Sequence, residues 1–412
     1  MPQFPPFHPV NNPDGGREAW LTVLGGFCCL FVSFGWISSI GVFQNYYETH
    51  QLRHYSPSTI AWIPSLEAFM MFSGGPIVGK IYDSYGVQPL LVVGTFFHVF
   101  GLMMTSLCKE YYQFILAQGI CSPLGASMIF YPAMSTVSTW FFKKRALAFG
   151  VVAAGSSIGG IILPIMVERL LPQVGFGWAM RIAAFLILFL LIIANLTVRS
   201  RIPSVPKPMT VTEFIVPLRE LPFLLTTIGC FLFFLGMFLP FNYLIVQAQL
   251  EGMSANLAGY LIAILNAVSF FGRVIPGYLA DKVGRYNVIV VMCVFTFILD
   301  FAIWIPAKSN APIIVFAALY GFGSGAFVSM APALVAQISP DVSKIGVRTG
   351  ALFAIISIAA LVGSPIGGAI VTSNNGKFTG LQVFCGCMQA GGALFIIAAR
   401  VVLAGFNPMT KV

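Results

Sequence analysis

Long apolar runs are the feature that most constrains how this chain can fold. Twelve of them occur, each roughly 20 to 27 residues long, and a helix needs about 20 apolar residues to cross a bilayer. Because lipid offers the backbone no hydrogen-bond partners, each run is predicted to be a transmembrane helix. These spans 1 to 12 are predicted at residues 20–44, 58–81, 89–108, 112–138, 146–171, 178–198, 223–247, 256–280, 287–306, 312–338, 348–372 and 380–405.

The composition excludes most other classes of protein. Of the 412 residues, 58% are apolar and 8% are charged, whereas a soluble domain carries about 25% charged residues. So few charges cannot cover a water-facing globule, which excludes an ordinary soluble enzyme, a nucleic-acid binder and a disordered protein. The eight cysteines form no CxxC pair, and neither a metal site nor a cofactor is predicted.

The basic residues predict the orientation of the chain. Fifteen of the 22 Lys and Arg residues fall on the side of the N-terminus when the loops are assigned alternately to the two sides. Six fall on the other side: Arg53, Lys109, Arg169, Arg181, Lys308 and Lys377. Cytoplasmic loops carry the excess of basic residues, so both termini are predicted to be cytoplasmic. The expected location is the plasma membrane.

Three internal repeats relate the two halves of the chain. Residues 79–86 (GKIYDSYG) and 277–284 (GYLADKVG) share the pattern G-x-x-x-D-x-x-G, and GSSIGG at 155–160 matches GSPIGG at 363–368. A Gly-Ala pair followed by Pro-Ala occurs in both span 4 and span 10. Three matches in the same order predict a duplication of six spans, which is typical of transporters built from parallel repeats.

The expected architecture is therefore an all-α polytopic membrane protein with twelve transmembrane helices in two pseudo-symmetric six-helix bundles. The bundles are assigned to residues 20–198 and 223–405. The Pro-rich stretch 199–222 is assigned as a cytoplasmic linker, and 1–19 and 406–412 as cytoplasmic tails.

The loop after span 8, residues 277–285, resembles the signature loop of the major facilitator superfamily. The copy after span 2 keeps the glycines and the aspartate but has Ser84 and Val87 where basic residues usually stand. The resemblance implies two bundles that rock about a central site, and loops that latch one face of the protein. The switch residues that it implies are Gly79, Asp83, Gly86, Gly277, Asp281, Lys282, Gly284 and Arg285.

Further stretches resemble the monocarboxylate porter family, in particular its fungal members. They are Asp14-Gly15-Gly16 before Trp20, WFFKKRALAFG at 140–150 and NAVSFFGRVIPG at 266–277. The resemblance runs from about Asp14 to the C-terminus. It implies transport of a small organic acid, with or without a proton.

Arg273 is the strongest candidate for a substrate-binding residue. An arginine inside a span stays charged and must face a cavity or a partner, where it can hold a carboxylate with two hydrogen bonds. The resemblance implies the same role for it, but Ser269 and Ser38 stand where well-studied animal members have an aspartate and a lysine. These replacements slightly favour an efflux carrier for a fungal secondary metabolite over a proton-linked monocarboxylate porter. A non-transporting receptor, the third class, would need a long signalling loop or tail.

Glu67 is the candidate proton-carrying residue, because a carboxyl group in an apolar setting holds its proton more readily. Asp300 is expected near the membrane interface at the outer end of span 9, and His98 is expected in packing. Asn242 and Asn266 add polar atoms to spans 7 and 8. With Arg273, Glu67 and Ser38, these two asparagines complete the set of substrate or coupling candidates that the sequence offers.

Pro240 is predicted to loosen span 7. A proline inside a helix removes one backbone hydrogen bond and frees a carbonyl group. Interrupted helices often line the binding site of a transporter, so span 7 is expected near the substrate path.

Overall fold

A computed structural model of the chain describes residues 14–202, 212–341, 344–407 and 410–412. Within these residues all regular structure is helical, and ten helices are long and apolar enough to cross a membrane. One of the ten, Arg145–Thr197, contains spans 5 and 6, which meet at Gly175, where a φ of 74° interrupts the helical path. Span 2 consists of three shorter helices in series. Together these elements account for the twelve predicted spans.

The twelve spans lie close to their predicted bounds. Spans 1, 3 and 4 are Arg17–Thr49, Val87–Thr105 and Tyr111–Trp140, and span 2 covers residues 57–85. The second half contains Leu221–Leu250, Ala255–Val283, Arg285–Trp304, Asn310–Gln337, Ile345–Ser373 and Thr379–Ala404 as spans 7 to 12. Part of the assigned linker and most of the N-terminal tail lie outside the described residues.

Several spans are interrupted inside the membrane. Span 2 breaks at Ala61 and Gly74. Span 4 contains a π-helical stretch at Ile115–Cys121, and span 9 contains another at Asp300–Trp304. A π-helical turn leaves backbone groups less regularly bonded than an α-helix and frequently marks a functional position. Both stretches carry, or contact, a buried carboxyl group.

The two halves pack as separate bundles that share one interface. Spans 1 and 5 and spans 3 and 4 pack together in the first half, and spans 8 and 10 and spans 7 and 12 in the second. Between the halves, span 5 packs against span 8 and span 2 against span 11. Large apolar side chains on spans 3, 6, 9 and 12 are more than half exposed, including Phe96, Phe189, Val291 and Leu394. A belt of this kind suits contact with lipid.

Both ends of the described chain lie on one face of the molecule. The Asp14 carboxylate accepts hydrogen bonds from the backbone N–H groups of Phe142, Lys143 and Lys144, in the loop between spans 4 and 5. At the other end, the Tyr286 N–H donates to the Val412 carbonyl at 2.8 Å. We call this side the termini face. Its assignment to the cytoplasm stays a prediction from the charge count.

Candidate functional site

A carboxylate from span 8 fastens the termini face to span 5. The Asp281 carboxylate accepts hydrogen bonds from the N–H groups of Ala146 at 3.0 Å and Leu147 at 2.8 Å, at the first turn of span 5. Arg285 donates to the Phe142 carbonyl at 2.7 Å and pairs with Asp281 at 3.1 Å. A carboxylate at a helix N-terminus is stabilised by the free N–H groups and by the helix dipole. These contacts join the two bundles.

The repeat of this arrangement joins spans 2 and 11. The Asp83 carboxylate accepts from the Val347 N–H at 2.9 Å, in the first turn of span 11. Gly79 lies directly against Gly346, with no room for a side chain between the two backbones. Gly86 and Gly284 end their helices with φ of 82° and 117°, which L side chains rarely adopt. The sequence predicted both loops as switches, and the structure places both aspartates at the bundle interface.

Lys282 takes no part in these cross-bundle contacts within the described residues. Its ammonium lies 4.3 Å from the centre of the Tyr278 ring, on its own helix. Gly277 packs against the backbone at Ala146, which again brings spans 5 and 8 together. The loop after span 8 therefore contributes Gly277, Asp281 and Arg285 to the interface, and Lys282 faces elsewhere.

Replacement of Asp281 by alanine is expected to open the termini face. It removes two hydrogen bonds to a charged group, each worth about 1.5–3 kcal/mol, so the open population should rise at least ~10-fold. The populations are measured by electron–electron distance spectroscopy with spin labels introduced at Lys143 and Val283, both exposed. Lys282→Ala is the matched control and should behave like the parent. Equal distance distributions in the two variants would contradict the latch.

Two ion pairs that the sequence did not reveal tie the linker to both bundles. The Lys80 ammonium lies 2.5 Å from the Glu213 carboxylate, and Arg348 forms two hydrogen bonds with Glu220 at 2.8 and 2.6 Å. The hydrogen bonds from Arg348 hold the pKa of Glu220 below its usual range. Lys80 belongs to the first bundle and Arg348 to the second, so the far end of the linker is anchored on both sides of the interface.

Arg273 lies buried between the bundles. Its Nη1 donates to the Ala153 carbonyl at 2.5 Å and to the Ser156 hydroxyl, both on span 5, and its Nε lies 3.3 Å from the Ser269 hydroxyl. The guanidinium carbon is 5.8 Å from the centre of the Phe34 ring. No carboxylate among the described residues pairs with it. A charged group thus occupies the membrane interior with neutral partners only.

Ser38 and Asn266 both lie beside Gly160 of span 5, farther from the termini face than Arg273. The Asn266 amide donates to the Gly160 carbonyl at 3.4 Å and to the Ile262 carbonyl at 3.1 Å. A side chain at Gly160 would meet both the Ser38 hydroxyl and the Asn266 amide. Three spans, 1, 5 and 8, therefore bring two of the predicted candidates together, two helical turns along span 8 from Arg273.

An aromatic cluster crosses the interface between the bundles. Phe34 and Phe72 of the first bundle lie 5.9 Å apart between ring centres, and Phe72 contacts Phe353 at 5.7 Å and Phe234 at 6.2 Å in the second bundle. Phe130 stands 5.4 Å from Phe353. These rings come from spans 1, 2, 4, 7 and 11. The central region is therefore apolar and aromatic, with Arg273 at its edge.

Glu67 lies in the first bundle and does not contact Arg273. Its carboxylate accepts from the Gln118 amide at 3.2 Å, and Gln118 in turn accepts from the Tyr47 hydroxyl at 2.5 Å. All three side chains are buried. Gln118 sits in the π-helical stretch of span 4. The sequence identified Glu67 but missed Gln118 and Tyr47, which carry no charge and are distant along the chain.

Three further residues to which the sequence analysis gave a role lie apart from Arg273. The exposed Asn242 donates to the Ser364 hydroxyl at 2.6 Å and so links spans 7 and 11 within one bundle. His98 is buried and bonded to the Val32 carbonyl and to Ser122, as expected of a packing residue. Asp300 is fully buried inside the second bundle. This burial differs from the peripheral role expected of Asp300, because hydropathy indicates depth in the membrane but not which side of the helix faces the bundle. Its place near the outer end of span 9 stays a prediction.

The hydrogen bonds between the bundles lie in the half of the interface nearest the termini face. Cross-bundle hydrogen bonds run from Asp281 and Asp83 at that face, through Arg273, up to Gly160 and Asn266. Beyond the level of Gly160, no hydrogen bond between the bundles occurs among the described residues. The structure is closed at the termini face.

Comparisons with known proteins agree with this architecture. The sequence model of the Major Facilitator Superfamily matches residues 23–308 and 277–406. The fold resembles that of the E. coli fucose:proton symporter, with a TM-score of 0.72 and 14% identity over 93% of this chain and 99% of that one. At such low identity the likeness concerns the fold alone.

Fungal relatives are far more similar in sequence. MFS-type transporter 1 of an Ophiocordyceps species is 58% identical, over 100% of this chain and 91% of its own length. The fujikurins efflux protein of Gibberella fujikuroi is 48% identical, over 96% and 85% respectively. The aspyridones efflux protein of Emericella nidulans is 41% identical, over 97% and 81%. The chain belongs to the Major Facilitator Superfamily and is a multi-pass transmembrane transporter.

Proposed function

We propose that this chain exports a largely apolar organic metabolite that carries one acidic group, by alternating access between the two bundles. The observation that carries the proposal is Arg273, a buried guanidinium at the bundle interface without a carboxylate partner among the described residues. A charge inside the membrane is rare and costly, and such residues mark transport paths. An acidic substrate group is the partner that suits this geometry.

Opening of the termini face would change the partners of Arg273. The Ala153 carbonyl and the Ser156 hydroxyl belong to the opposite bundle, so the bundles cannot separate at this level without breaking both hydrogen bonds. The guanidinium would then keep only Ser269. Because an unpaired buried charge is strongly destabilising, the open state favours binding of an anion. Closure would return Arg273 to span 5 and displace the substrate.

The surroundings of Arg273 indicate the remainder of the substrate. Phe34, Phe72, Phe234 and Phe353 form an aromatic wall from both bundles. Aromatic side chains bind flat apolar groups well. Ser38 and Asn266 supply hydrogen-bonding groups above that wall. A molecule with one acidic group, an apolar body and a few polar atoms fits this set of side chains.

The relatives support the export direction of this proposal. Two of the proteins that match nearly the whole chain are named as efflux proteins, for fujikurins and for aspyridones. If the termini face is cytoplasmic, as the basic residues predict, then Arg273 gains its anion on the cytoplasmic side. That order of events suits export across the plasma membrane.

A proton-coupled monocarboxylate porter is the second candidate. The stretch 140–150 and the position of Arg273 favour it, and Glu67 is the buried carboxyl group available to carry a proton in the first bundle. The two candidates differ in the substrate, because the aromatic wall is larger than a short organic acid requires. Uptake of short monocarboxylates into vesicles that contain the purified protein would favour this second function.

The proposal is tested by deleting the gene in the source organism and measuring metabolites in cells and medium by untargeted mass spectrometry. We expect at least one acidic, largely apolar metabolite to move from medium to cells on deletion. A copy of the parent gene should restore the secretion. An unchanged distribution of all acidic metabolites between cells and medium would overturn the proposal.

A further inference from the structure

A thiol from span 12 contacts the backbone of span 7 one turn before Pro240. Pro240 lacks an N–H, so the Gly236 carbonyl one turn earlier loses its helical partner. The Cys385 thiol lies 3.3 Å from that carbonyl and donates to it. The next carbonyl, of Met237, accepts from the Tyr320 hydroxyl at 3.0 Å. Side chains of spans 10 and 12 therefore supply hydrogen bonds to span 7 in the turn before Pro240.

Asp300 lies beside the same thiol. Its Oδ2 is 3.6 Å from the Cys385 sulfur, and its side chain is fully buried. The residue begins the π-helical turn of span 9, in which the Ile305 N–H bonds to the Asp300 carbonyl at 3.1 Å. This turn places a carboxyl group in the middle of the second bundle, against span 12. Asp300 has no ion pair among the described residues.

The hydrogen-bond donors around Asp300 do not suffice for a carboxylate. The Cys385 thiol has one hydrogen, which it cannot give to Gly236 and Asp300 together. The Gln389 amide donates to the Tyr320 hydroxyl at 2.7 Å and approaches the Cys385 sulfur at 3.4 Å. The Asp300 Oδ1 and the Gln389 Oε1 are both buried without a hydrogen-bond partner. A buried carboxylate with too few hydrogen-bond donors is strongly destabilising.

A proton on the Asp300 carboxyl group removes the competition between Gly236 and Asp300 for the thiol hydrogen. The protonated acid needs fewer donors and itself donates to the Cys385 sulfur, which leaves the thiol hydrogen with the Gly236 carbonyl. If the acid ionises, its proton leaves to water and the thiol hydrogen turns to the carboxylate oxygen. The Gly236 carbonyl then lacks a donor, and this turn of span 7 becomes less stable.

We infer that Asp300 is a proton-binding site that controls the stability of span 7 at Pro240. The link to transport is short, because Phe234 of span 7 contacts Phe72 of the opposite bundle at 6.2 Å. The other titratable side chains that face this carboxyl group are Cys385 from span 12 and Tyr320 from span 10. The site is distinct from Glu67, which lies in the first bundle. The inference requires only that the two bundles rock, and it holds for import as well as for export.

Infrared spectroscopy of the purified full chain in lipid nanodiscs tests the inference without a substrate. In a Glu67→Gln background, we expect a carbonyl-stretch band from a protonated carboxyl group at neutral pH. Asp300→Asn, which conserves the shape, should remove part of the intensity of this band. Cys385→Ala keeps the acid but removes its neighbour, and should shift the same component. If Asp300→Asn leaves the intensity unchanged, or Cys385→Ala shifts no component, the inference is wrong.

The coupling to span 7 has its own measurement. Spin labels across the termini face, at Lys143 and Val283, should report a pH-dependent change in the distance distribution at alkaline pH in the Glu67→Gln protein. The same change should be absent from the variant that also carries Asp300→Asn. An identical pH response in both proteins would contradict control of span 7 by Asp300. This measurement does not depend on export. The inference about Asp300 can therefore be confirmed even if the proposed function is wrong.

Discussion

Arg273→Ala is expected to lower the rate of export at least ~100-fold. The substitution removes the two charge-assisted hydrogen bonds proposed to hold the substrate anion, each worth about 1.5–3 kcal/mol, and every 1.4 kcal/mol corresponds to about a factor of ten. The measurement is the initial rate of efflux of the metabolite identified by gene deletion, from cells that express equal amounts of each variant. Arg273→Lys keeps the charge but not the planar two-pronged geometry. Its export rate should lie between those of the parent and of Arg273→Ala.

Arg181 provides the matched control for Arg273→Ala. Its guanidinium stacks on the Trp178 ring at 5.1 Å and bonds to the Ser106 hydroxyl at 3.1 Å. Arg181→Ala therefore removes an arginine from a span without touching the bundle interface, and it should retain the export rate of the parent. If Arg273→Ala also retained that rate, the guanidinium would have no role in substrate binding.

Gly79→Val is expected to prevent closure of the termini face and to abolish transport. A side chain at residue 79 would overlap the Gly346 carbonyl group, with its first carbon 2.7 Å from the carbonyl carbon. The obstacle is backbone, which cannot rotate away like a flexible side chain, so spans 2 and 11 must move apart. Distance spectroscopy with labels on the ends of these two spans should show the separated state almost exclusively, and export should fall below detection.

Gly41→Val is the control for that variant. Gly41 also lies within a helix, but nothing approaches within 4 Å of the position where its side chain would begin. Gly41→Val therefore tests whether the changed helix propensity alone can cause the loss of transport. A closed termini face in Gly79→Val would show that the contact between spans 2 and 11 is not required for closure.

The architecture could be predicted because its determinants are local or repeated. Each span is a continuous apolar run, and the copies at 79–86 and 277–284 mark the same turn in both halves. The glycine that ends each copy and the aspartate before it can be identified from a short segment of sequence alone. What the sequence could not show is the partner of each aspartate, because the N–H groups of Val347 and Ala146 belong to the opposite bundle.

The candidate site was predictable only for its charged members. Arg273 and Glu67 were identified because a charge stands out in an apolar run. Gln118 and Tyr47 around Glu67, and Ser156 beside Arg273, resemble many other polar residues in the spans, and only the packing of helices brings them together. The burial of Asp300 could not be predicted, because hydropathy does not indicate which side of span 9 faces the bundle.

The contact of spans 2 and 11 through Gly75, Gly79, Gly346 and Gly350 has a kinetic consequence. These four positions carry no side chains, so this stretch can slide with no change of rotamer and adds little friction to the rocking motion. The activation barrier should then arise elsewhere along the interface, from the hydrogen bonds of Asp83, Asp281 and Arg273 and from the rings that pack around Phe72.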